Sequence, residues 1–163
     1  MIYELLDASR FLYQATLGSS LDQMEQLSYM PYDQWIDNQI AQPPSLMVTK
    51  IEEIKRDVLD WYFLYHTDST NAPFYTNWIH FNYGWWDMNL KNKDKLRQRV
   101  ALALSEVVVI SADSDLANYG NALASYYDIL IRNAFGNYKD MLLEVALHPA
   151  MGYYLSHLNN PKA

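Results

Sequence analysis

The sequence predicts an all-α fold: an irregular multi-helix bundle of about seven to eight helices with no substantial sheet. Three observations carry this. Apolar residues recur at helical spacing nearly throughout. No Asn-Gly or Asp-Gly hairpin signal, internal repeat or low-complexity segment occurs. The gaps between periodic segments hold helix punctuation, including Gly18, Pro31, Pro43-Pro44, Gly136 and Pro149.

In chain order, Ala8–Leu17 alternates apolar and polar residues at helix spacing and stops at Gly18. Ser20 and Gln23 match a capping box. Pro31 suits the first turn of a helix carrying Trp35, Ile36 and Ile40, which ends before Pro43-Pro44. Ser45 can cap a longer helix running to about His66, and Thr67–Pro73 reads as a loop. A tryptophan-rich helix is expected over Phe74–Asp87, with Gly84 as a weak point. The next helix is expected from Asp94 to about Ile110. Val107–Ile110 would favour a strand by propensity alone, but it ends a strong helical pattern. Ser111–Asp115 reads as a loop in which Ser114 or Asp115 caps a helix reaching Phe135. Gly136 would supply a left-handed residue there, and Asn137 caps a short helix to Leu147. His148 precedes Pro149, which disfavours helical geometry at His148 and opens a final turn or helix.

The 163 residues suffice for a single helical domain with a sizeable core, and a half-hydrophobic composition with 19% charge argues against disorder. A net charge of -7 disfavours nucleic-acid binding, since a phosphate backbone needs a basic surface. The lack of cysteine excludes disulfides and thiolate metal sites. No transmembrane segment is expected, because no apolar run approaches roughly 18 residues. The N-terminus lacks the basic region and long apolar stretch of a signal peptide. The chain stops just after a polar stretch, Asn159-Asn160-Pro161-Lys162, which reads as a cut in a longer protein. Tyrosines and tryptophans cluster at Trp61–Tyr65, Phe74–Trp86, Tyr126–Tyr127 and Tyr153–Tyr154. They suit core and helix packing or, functionally, a stacking platform for sugars or peptides.

Candidate chemistry is sparse. From Val100 to Ile110 only Ser105 and Glu106 are polar, so Glu106 is expected in the interior. It would there need a partner on another helix, such as Arg132 or Arg10. The stretch Lys91–Arg99 is basic within an acidic chain, and positive charge at a helix start opposes the macrodipole. Acidic partners or a bound anion would offset that. His66, His80, His148 and His157 form no close ligand pair, and no metal site is expected. His148 sits at a predicted helix C-terminus, where a protonated imidazole is favoured. Asp113 and Asp115 alternate as in a calcium loop, but the loop lacks the glycine and the final acid, where Ala124 stands; helix capping explains both. No nucleophile-elbow, phosphate-loop or dinucleotide motif occurs.

Four segments carry a resemblance. Arg10-Phe11-Leu12-Tyr13-Gln14-Ala15-Thr16-Leu17-Gly18, Lys95-Leu96-Arg97-Gln98-Arg99 through Glu106, Leu123-Ala124-Ser125-Tyr126-Tyr127-Asp128 through Tyr138, and Leu147-His148-Pro149 through Ser156 follow in family order. They resemble the motifs of the bacterial Domain of Unknown Function 1800 family. Departures are small: Leu17 stands where the family usually has Phe, Ser19-Ser20 where it often has Pro-Thr, and Lys95 where it commonly has Gln. The resemblance implies the N-terminal portion of a longer protein, often exported and often encoded beside a second protein type. It leaves the reaction and any cofactor open.

Two functions follow as expectations. The first is a structural or partner-binding role in an exported bacterial protein, the partner encoded nearby. The alternative is part of a hydrolase-like enzyme acting on polysaccharide or another polymer. Glu106, Asp128 and His148 are the candidate catalytic residues. Arg97, Arg99, Tyr126 and Tyr127 are the candidates for binding an anionic or saccharide ligand. A working site would bring these side chains into one cleft.

Overall fold

A computed structural model describes residues 2–155. His157 and the Asn159–Lys162 stretch lie outside them. Among the described residues there are nine α-helices and no strand. The first three, α1 (Ile2–Ala15), α2 (Leu21–Ser28) and α3 (Tyr32–Ile40), close around Ala8, Leu12 and Leu27, with Phe11, Met24 and Trp35 packed against them. The Ser20–Gln23 capping box is formed, each side chain bonding the other's backbone N–H. Gly18, at φ 134°, turns the chain between α1 and α2 in a region that favours glycine.

The remaining helices are α4 (Met47–Tyr65), α5 (Trp78–Lys91), α6 (Lys95–Ser105), α7 (Gly120–Arg132), α8 (Tyr138–Leu147) and α9 (Pro149–Tyr154). A 3-10 turn, Asp115–Asn118, precedes α7 and is capped by Ser114. The main core forms around α7, whose Leu123, Ala124, Tyr126, Tyr127, Ile129, Leu130 and Ile131 are all buried. Helices α4, α5, α6, α8 and α9 all pack on it. Each fully buried Leu or Ile contributes roughly 1.5–3 kcal/mol relative to exposure, so α7 anchors the molecule. Gly120 permits its close approach to the turn before α5: a Cβ there would stand 2.7 Å from the Asn77 carbonyl oxygen.

Several elements differ from the sequence reading. α1 begins at Ile2, well before Ala8, and α5 spans Trp78–Lys91 because Asn77 and His80 form a capping box at its start. α6 stops at Ser105, so Val107–Ile110 is not helical. The β-branched run is stiff at χ1 and suits extended backbone better than a helix end. Glu106 is consequently exposed rather than interior. Its expected partners are engaged elsewhere: Arg132 bonds Glu144 at 3.4 Å, and Arg10 pairs with Asp7. Ser45 does not cap α4, whose first N–H groups are held from α7 instead. Gly136 does not adopt a positive φ. α7 ends at Arg132, and the Asn133 side chain donates to the Ile129 carbonyl at 2.9 Å, so no left-handed residue is required there.

Candidate functional site

The basic stretch at the start of α6 is a hub of helix ends. Lys95 Nζ donates to the Asn89 and Leu90 carbonyls in the last turn of α5. The Arg97 guanidinium bridges Ile40 O, at the end of α3, and Ile131 O, at the end of α7, and lies 4.7 Å from the Phe135 ring centroid. Arg99 Nε donates to Gln14 O, near the end of α1. Helix C-termini carry partial negative charge and unpaired carbonyls, so these cations satisfy four helices at once. Burial lowers the Lys95 pKa, with Asp94 opposing the shift.

Two buried carboxylates do the converse for α4. Asp128 Oδ1 accepts from Met47 N at 2.6 Å and Oδ2 from Val48 N at 3.2 Å. Asp94 accepts from Ser45 N and Ser45 Oγ, both at 2.8 Å, and from Gln98 Nε2. Burial raises the Asp128 pKa, and the two N–H bonds pull it back down without cancelling the shift.

His148 caps as well, but at the start of α9. Its Nδ1 accepts from Ala150 N at 3.2 Å, so the proton of the neutral ring sits on Nε2 and points to Ser125 Oγ, also at 3.2 Å. Ser125 Oγ in turn donates to Ala122 O. The pair resembles a nucleophile–base dyad in distance only, because the nitrogen facing the hydroxyl already carries a proton. Burial, and secondarily the Arg132 charge, lowers the His148 pKa. The expected protonated C-terminal cap is thus replaced by a neutral N-terminal cap.

Two clefts remain. The larger, of about 690 Å3, opens between α1–α3 and the α5–α6 junction. Its polar wall is amides and hydroxyls: Gln23, Gln26, Gln39, Gln42, Asn89, Asn92, Thr16, Ser19 and Ser20. Lys91, Lys93 and Lys95 also line it, with Trp35, and none of the described residues lining it is Asp or Glu. Lys91 pairs with Asp87, whereas Lys93 is exposed with no ion pair among the described residues. The smaller cleft, of about 350 Å3, lies between α5, α7 and the chain leaving α6. Phe81, Trp85, Tyr126 and Tyr127 wall it, and Glu106 stands in its lining. Trp85 Nε1 donates to Tyr127 Oη at 2.9 Å, and Tyr126 Oη donates to Val108 O at 2.8 Å. Burial pushes both tyrosines up to about 12.

Of the residues singled out in the sequence, Glu106, Tyr126 and Tyr127 meet in the smaller cleft. Asp128, His148, Arg97 and Arg99 line neither cleft. Apart from Gln23, which was read as half of a capping box, the amides of the larger cleft carried no sequence signal, since they come from three separate stretches and amides are common on helix surfaces. Its lysines lay within the basic stretch, undistinguished there from the arginines.

Fold and clefts together define an all-α domain with a ligand-sized cleft at each end of α6 and its buried charges committed to helix ends. Over residues 10–163 the chain matches the family described as protein of unknown function, DUF1800, and it belongs to that family. No curated protein and no solved structure matches it.

Proposed function

We propose that the chain is a binding domain whose larger cleft takes an anionic, hydroxyl-rich ligand of the acidic-saccharide class. One observation carries the reading: in a chain of net charge -7, the described lining of this cleft holds three lysines and no carboxylate. Amide side chains offer donor and acceptor together, which suits hydroxyl groups, and Lys93 supplies an unpaired charge for an acid. An exported location, implied by the family resemblance, belongs to the same proposal.

A hydrolytic role has less support. Asp128 and His148 are each bonded to a helix start, and Glu106 stands in the other cleft. A protein partner is the second reading. It is favoured by the solvent-facing stripe Ile79, Tyr83, Trp86 and Leu90 on α5, whose spacing is that of one helix face. Co-purification with the product of a neighbouring gene, lost on Trp86→Asp, would support it.

The test of the saccharide reading is calorimetric titration of a uronic-acid oligosaccharide and a neutral oligosaccharide of the same length. The acidic one should bind more tightly, lose affinity with added salt, and bind more weakly to Lys93→Glu. Absence of heat with the acidic ligand, or full affinity in Lys93→Glu, would overturn it.

A further inference from the structure

The smaller cleft has the opposite chemistry. Among the described residues that line it, Glu106 is the only side chain charged at neutral pH, and none is Lys, Arg or His. The carboxylate is exposed and has no ion pair or hydrogen bond among the described residues. It occupies the C-cap of α6, the negative end of that helix, where an acid is unfavourable and a cation favourable. The rings of Phe81, Trp85, Tyr126 and Tyr127 line the same cleft. These are held before any ligand arrives. Trp85 is tied to Tyr127, Phe81 meets Tyr127 edge-on at 5.8 Å, and Tyr126 pins Val108, two residues from Glu106. Such prior ordering removes part of the entropy loss on binding.

We propose that this cleft binds an organic ammonium ion, its positive head against Glu106 and its alkyl groups against the aromatic wall. An anion would face an unopposed carboxylate, and a neutral apolar ligand would leave that carboxylate unpaired. An alkylammonium satisfies both parts of the wall, since aromatic rings attract cations electrostatically and their apolar surface accepts the methylenes or methyls. A cavity of about 350 Å3 suits a head of that size. The ammonium head could belong to a free amine or to a lysine side chain of another protein; the chemistry is shared.

The experiment titrates choline into the chain, followed by calorimetry and by aromatic NMR signals. The control is its uncharged isostere, in which carbon replaces nitrogen. Choline should bind more tightly than the isostere by about tenfold or more. Glu106→Gln should lower choline affinity by a similar factor while leaving the thermal midpoint unchanged, because the side chain is exposed. Phe81→Leu, as a second variant, should weaken choline without restoring the isostere. A short lysine peptide forms a further arm. Tighter binding than choline assigns the ammonium to a protein side chain, and weaker binding assigns it to a free amine. Equal binding of choline and isostere, no binding of any ammonium, or full affinity in Glu106→Gln would overturn the proposal.

Discussion

The two ends of α6 use charge in opposite ways. At its start, Lys95, Arg97 and Arg99 each reach a carbonyl at another helix end, and Asp94 holds Ser45 before α4. At its finish, the Glu106 side chain reaches nothing among the described residues and lines a cleft that four aromatic rings also line. The density of charge along the chain points to the start. What lies opposite each charge points to the finish. A cation that meets a helix C-terminus is structural whatever its neighbours in sequence, and an acid left unopposed at such a terminus is available to a ligand.

This contrast breaks first, and most heavily, at Arg97. Arg97→Met keeps the buried stem but strips the bridge from Ile40 O and Ile131 O and the contact with Phe135. The expected loss is about 3 kcal/mol by urea unfolding, since hydrogen bonds to charged groups are strong and abandoned carbonyls are costly. Arg97→Lys should recover little, because a single Nζ would have to meet carbonyls on two different helices that the fork reaches with separate arms. A loss below about 0.5 kcal/mol would put Arg97 in the class of dispensable surface charges and dissolve the hub.

Asp128→Asn comes next. The amide retains one acceptor but turns a donor toward either Met47 N or Val48 N, so one N–H at the start of α4 is orphaned. A loss of about 2 kcal/mol is expected, with the cleft affinities of the folded chain unaltered. A fully stable variant would show that α4 is held by packing alone.

How far these roles were legible follows from the same contrast. Local signals were readable: the Ser20–Gln23 box, the Asn137 cap and Pro149 at the start of α9 all depend on residues within a few positions. The α4 cap was not, because Asp128 lies some eighty positions from the N–H groups it serves, and Ser45 offered a plausible local substitute. Glu106 was misplaced because periodicity ran through Ile110, while stiff β-branched residues end the helix at Ser105. The larger cleft was invisible, since its amides come together only once α2, α3 and the α5–α6 junction meet.

A smaller effect tests whether His148 belongs to the structural class. Its pKa in the folded chain is below the 6.5 of an unfolded histidine. The unfolded chain therefore takes up the proton first as pH falls. The stability tied to the neutral ring is intact above about pH 6.5 and declines below it, down through the folded value. His148→Asn keeps an acceptor for Ala150 N but does not titrate. Its unfolding free energy should therefore fall less between neutral and mildly acidic pH than that of the parent chain. Some slope remains, because burial lowers the His80 pKa in the same direction. Identical slopes would mean that His148 is not held neutral by the fold.

The smallest effect on stability, and the sharpest for the contrast, belongs to Glu106→Gln. The side chain is exposed, unpaired among the described residues and placed where the helix end repels it. Removing the charge should leave the unfolding midpoint unchanged or raise it slightly, and the change should shrink with added salt. If Glu106→Gln instead destabilises the chain as Arg97→Met does, the acid is a structural charge with an unrecognised partner, and the two ends of α6 are alike. A neutral or stabilising result, together with lost ammonium binding, would leave binding as the physical reason for a carboxylate at that position.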